Sequence, residues 1–134
     1  MKPNRTLIIS SLLSLVLFTF HLTHDTLHTS AGMDAWGTVI TLVIMLVLLY
    51  GTVELSTRRL GYVIMLLGGL ASAYMPFLHT LGPRTTRWGF FFVWTMIAMG
   101  VTGTFAAILA ARELWRSLRA SEDSRASASP SLPD

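Results

Sequence analysis

The chain has 134 residues, of which 52% are hydrophobic and 13% charged. Soluble domains carry about 25% charged residues, so half that density, with the charge gathered outside long apolar runs, excludes an ordinary soluble domain and points to a membrane protein. A net charge of +3 does not indicate nucleic acid here, because the Lys and Arg residues flank the apolar runs rather than covering a face, and the lack of cysteine excludes disulfides, thiolate metal sites and acylation on Cys.

Met1 to Arg5 is a short basic start, followed by the apolar run Leu7 to Phe20. A hydrocarbon core about 30 Å thick needs about 20 helical residues, so this run spans only if it continues to about Leu27. A basic start and a 14-residue apolar run also describe a signal peptide, with Thr29-Ser30-Ala31 as its small-residue cleavage site. Polar His24, Asp25 and His28 stand where a cleavage region is bland, which favours a retained first helix.

The second span is expected over 37–55, with Glu54 set four residues before Arg58 in the order that favours a helical ion pair. The third is expected over 60–78. Its small residues Gly61, Gly68, Gly69 and Ser72 allow close backbone approach, the usual driver of helix association in lipid. Pro76 should kink or end that helix, and His79 closes it. The fourth span is expected over 88–111, where Gly100, Gly103 and Ala107 give a smooth stripe for the third helix to pack on. Trp94 reads as a packing residue. Beyond Ala120 the Ser, Ala, Pro and charge content predicts a disordered tail over 120–134.

The expected fold is therefore all-α: an integral membrane four-helix bundle in one domain, 1–119. Lys2, Arg5, Arg58, Arg59, Arg112, Arg116, Arg119 and Arg125 would share one side, against Arg84 and Arg87 on the other. Positive residues resist translocation, so both termini should be cytoplasmic, in a bacterial inner membrane. Interfacial aromatics agree, with Trp36 and Trp88 as outer markers and Tyr50, Tyr62 and Trp115 as inner ones.

All four histidines then fall at the outer end. At 1.5 Å per residue, His21, His24 and His28 stand about 21, 26 and 32 Å above the inner boundary, and His79 about 28 Å. Positions 21, 24, 25 and 28 share one helical arc. His24, Asp25, His28 and His79, with His21 as a further member, could hold Zn, Cu or Ni, since imidazoles at i, i+4 chelate one ion. The plainer reading is that interfacial histidines hydrogen-bond to headgroups or backbone and need no ligand. His24-Asp25-Thr26-Leu27-His28 also has the shape of the zinc-peptidase H-E-x-x-H motif, but Asp is a methylene short for activating water and no third ligand follows. Haem b between His21 or His24 and His79 is a further alternative.

A channel or transporter needs a polar path. The spans offer only hydroxyls at depth, including Ser10, Ser11, Ser14, Ser72, Thr95, Thr102 and Thr104, and such groups usually bond back to their own helix.

The chain resembles a loose group of uncharacterised small bacterial four-span inner-membrane proteins. The resemblance is carried by His21-Leu22 and Asp25 ending the first span, Tyr50-Gly51-Thr52, Arg58-Arg59 and Gly61-Tyr62 about the turn, Leu78-His79, and Phe90-Phe91-Phe92-Val93-Trp94-Thr95. It implies four spans and no established activity. The expected role is a non-enzymatic structural, accessory or partner-binding membrane component, with membrane lipid and a larger complex or self-association as partners. The alternative is a metal- or haem-binding protein using the outer His/Asp cluster.

Overall fold

A computed structural model describes residues 4–28, 35–81 and 89–127, with the side chains of 25–28, 35, 80–81 and 125–126 outside that description. The described residues form four helices: α1 (Arg5–His28), α2 (Ala35–Val53), α3 (Arg59–Leu81) and α4 (Phe90–Ser127). They contain no strand, and all four helices are long and apolar enough to cross a membrane. The chain is an all-helical protein of membrane-spanning character.

Asn4 caps α1: its side-chain oxygen accepts from Leu7 N–H at 3.3 Å, satisfying one of the donors a helix start leaves open. The same side chain donates to Glu113 of α4 at 2.9 Å. Arg59, opening α3, donates to the Ser117 carbonyl at 2.8 Å. These two ties bring the start of α1, the start of α3 and the 113–117 stretch of α4 to one end of the bundle. The basic residues Arg5, Arg58, Arg59, Arg112, Arg116 and Arg119 therefore gather at that end.

Helix α4 is the hub, packing on both α3 and α1, while α2 rests on α3 and is largely exposed. Near the basic end, Leu7, Tyr62, Met65 and Ala110 bury one another. Toward the far end, Phe92, Met96 and Met99 form a second core with Leu17, Phe18 and Met75 against it. In lipid no hydrophobic gain separates helix from acyl chain, so close fit must hold the helices together. The small residues supply that fit. Gly68 lies against Leu48 of α2, Gly100 against Pro76, and Gly103 against Ser72 and Ala73; Ser72 and Ala107 are both buried. Gly61 faces the Leu55 carbonyl, so a side chain there would strike the turn that joins α2 to α3.

Several expectations need correction. The fourth helix does not give way at Ala120 but runs to Ser127; extending a formed helix costs little once nucleated, and Ala, Arg and Glu propagate it well. The remainder of the expected tail, 128–134, lies outside the described residues. Of the two outcomes expected at Pro76, a kink or an end, the end does not occur: α3 continues to Leu81 with the ring set against Gly100 of α4. Glu54 and Arg58 do not pair along a helix, because α2 stops at Val53 and α3 starts at Arg59. Tyr62 is no interfacial marker: it is 1% exposed, in the core. Trp94, read as a packing residue, is 59% exposed on the outward face of α4.

Candidate functional site

The far end of the bundle carries the histidines. His21, sixteen residues beyond Arg5, is about 24 Å along α1, and His79, twenty beyond Arg59, is about 30 Å along α3. The two rings meet edge to face, with centroids 4.9 Å apart and planes at 83°. Phe92, in the first turn of α4, is their common neighbour. Its ring stands 5.3 Å from His21, 5.5 Å from His79 and 5.6 Å from His24. His24 also lies 6.2 Å from Phe91. Three imidazoles from two helices thus converge on one phenyl ring from a third.

Burial grades across the cluster. His21 is 1% exposed, whereas His24 and His79 are half-buried. The His79 Nδ1 lies 3.1 Å from the Met75 carbonyl. A carbonyl only accepts, so Nδ1 is the donor in this contact. An i−4 carbonyl holding Nδ1–H is the arrangement that orients a ligating histidine. The same bond also serves a histidine that does no more than pack. Phe90 and Phe91 lie exposed beside the cluster.

No known protein family, characterised protein or solved structure matches the chain.

Of the residues expected to form a metal site, the structure brings His21 and His79 together and sets His24 beside them across Phe92. The side chains of Asp25 and His28 lie outside the described residues. Among the described residues no group of three or more His, Cys, Asp or Glu stands close enough to hold a metal ion.

Sequence reasoning gave His21 the lesser place and left Phe91 and Phe92 out of the site. The signal for the phenylalanines was present: an aromatic run opens the fourth helix at the level where the first and third helices end in histidine. It also expected the deep hydroxyls to bond back along their own helices. Thr95, Thr102 and Thr104 do so, donating to the Phe91, Ala98 and Gly100 carbonyls at 3.0, 2.8 and 2.7 Å. Ser11 and Ser14 do not.

Proposed function

We propose that this chain is a non-enzymatic, multi-pass component of a bacterial cytoplasmic membrane, with both termini on the cytoplasmic side. In this reading the imidazole–phenyl end is the surface through which it meets a larger membrane complex or a second copy. The observation that carries it is the cluster itself. Rings of His21, His24 and His79 are held on Phe92 and flanked by exposed Phe90 and Phe91. Aromatic side chains offer large contact area at low cost in conformational entropy, and histidine adds hydrogen-bonding capacity. The orientation is supported by the basic residues gathered at the opposite end. The kinship with small four-span inner-membrane proteins belongs to the same proposal.

A photocrosslinking amino acid at Phe90, in native membranes, tests the reading. Discrete protein adducts are expected from Phe90 and none from Val43 on the exposed face of α2. Lipid adducts alone at both positions would refute it.

The Met75 carbonyl on His79 Nδ1, the kind of partner that orients a ligating imidazole, favours a second reading: a single zinc or copper ion held by imidazoles. Haem b fits less well. Two histidines on opposite faces of a haem iron point at each other across the porphyrin, and rings meeting edge to face at 4.9 Å leave no such gap. Elemental analysis and an absorbance spectrum of detergent-purified protein separate these readings. Stoichiometric metal lost in His21→Ala/His79→Ala would replace the partner surface with a metal site.

A further inference from the structure

Away from the histidines, a cavity of about 50 Å³ lies between α1, α2 and α3, with Ala106 of α4 at its floor. Ser11 and Ser14 of α1 line it, about 9 and 14 Å along the helix from Arg5. Thr52 and Ser72 also line it, and exposed Ile44 and Ala71 stand on its outer side. Gly68 and Gly69 of α3 complete the lining beside Met65, Ala71 and Ser72 of the same helix. The two serines therefore stand on the side of the cavity nearer the basic end, and Phe18 and Ser72 bound it toward the middle of the bundle.

Two of its hydroxyls are anomalous. Many serines and threonines in these helices donate to a carbonyl one turn back: Thr19 to Leu15, Thr23 to Thr19, Thr52 to Leu48, Ser117 to Leu114. Ser10, next in the chain to Ser11, does the same with the Leu7 carbonyl at 3.4 Å. Ser11 and Ser14 are 9% and 3% exposed, and neither hydroxyl has a hydrogen-bond partner. An unpaired hydroxyl in an apolar setting loses about 1–3 kcal/mol. Ser10 takes the back-bond one residue away, and neither Ser11 nor Ser14 does.

We infer that this cavity is a binding site for the uncharged, oxygen-bearing end of a lipid-soluble molecule, with Ser11 and Ser14 as the donors. The volume decides the class. About 50 Å³ is too small to enclose a drug-sized ligand, which needs roughly 300 Å³ or more. It suffices for a terminal carbonyl or hydroxyl whose chain continues past Ile44 and Ala71 into lipid. The lining is otherwise apolar, through residues such as Leu15, Leu48 and Met65, and holds no cation to receive an anionic headgroup. A glycerolipid ester and a free long-chain alcohol or ketone share this chemistry. The site is independent of the imidazole cluster, so neither reading depends on the other.

The test uses the full chain in phosphatidylcholine nanodiscs, with 3-azioctanol as photoprobe and a phosphatidylcholine carrying a diazirine in its chain as a second. Adducts are mapped by mass spectrometry. Saturable labelling of Leu15, Leu48 or Met65 is expected, displaced by octanol but not by octane. In Ser11→Ala/Ser14→Ala it should fall about tenfold, the equivalent of two neutral hydrogen bonds, with helix content unchanged by circular dichroism. Ala71→Phe, a substitution at an exposed position on the cavity's outer side, should block labelling while both serines remain. Labelling of the same residues by the phosphatidylcholine probe assigns the site to bilayer ester; labelling by azioctanol alone assigns it to a free amphiphile. Equal competition by octane overturns the inference, as does labelling no stronger than at Val43 and Leu46, or labelling untouched by the double substitution.

Discussion

Gly69 and Gly103 face one another across the α3–α4 contact with no side chain between them. A Cβ on Gly69 would stand 2.8 Å from the Gly103 carbonyl oxygen, and a Cβ on Gly103 would stand 2.8 Å from that of Gly69. Backbone stands in the way on each side, joined at Gly103 by the Ser72 Cβ at 2.7 Å, and neither backbone nor a Cβ can turn away as the far end of a side chain can. This close approach makes α4 the hub, because two helices without a hydrophobic drive between them gain only from contact.

Gly103→Leu should accordingly push α3 and α4 apart and destabilise the protein by about 3 kcal/mol, the upper range for overpacking. Gly89→Leu is the control, since nothing lies within 4 Å of a Cβ there. Gly89 caps α4, its carbonyl accepting from Val93 N–H, so this substitution should cost no more than about 1 kcal/mol. Unfolding in mixed micelles by dodecyl sulfate titration reads both, and equal midpoints would contradict the packing described.

The two tyrosines near the basic end should behave oppositely. Tyr62 is buried at 1% exposure among Leu7, Met65 and Ala110, whereas Tyr50 is 58% exposed. Tyr62→Ala should cost about 3 kcal/mol through the cavity it leaves, and Tyr50→Ala less than about 0.5 kcal/mol. The same titration measures them, and a larger loss at Tyr50 would show the helix faces to be misassigned.

Reactivity should separate the histidines. With His21 sealed and His79 half-buried, diethylpyrocarbonate should modify His79 before His21 in folded protein. His79→Ala should speed modification of His21 by removing the ring beside it. Peptide mass spectrometry against time gives the order, and a His21 that reacts as fast as His79 would mean the ring contact does not form.

The proposed orientation, with the basic end cytoplasmic, makes its own prediction. Cysteine placed at Arg58 should resist an impermeant maleimide in intact cells and react after permeabilisation, and a reporter fused after Asp134 should be active only in the cytoplasm. Labelling of Arg58→Cys in sealed cells would reverse the proposed orientation.

Much of the helical order was legible along the chain because lipid imposes a one-dimensional constraint. Each apolar stretch must satisfy its own backbone, so length and composition suffice to mark four helices. The small residues Gly68, Ser72, Gly100, Gly103 and Ala107 were also legible as packing positions, since close approach needs them whatever the partner. Helix ends were less so. Pro76 and the stretch after Ala120 carry local signals for stopping, yet α3 and α4 continue through them, held by neighbours or by a helix already formed.

The amino-acid sequence by itself determined four helices of membrane-spanning character with charge kept outside the apolar runs, most guanidinium groups toward one end and His21, His24 and His79 toward the other, because desolvating charge and backbone is costly. Only the tertiary structure decided which faces turn inward: that His21 meets His79 on Phe92, that Tyr62 is core and Trp94 outward, and that Ser11 and Ser14 line a cavity. In water an apolar stripe marks the buried side of a helix, but in lipid both sides are apolar. Helix rotation is then set by shape and hydrogen bonding between residues far apart in the chain, and no local pattern records it.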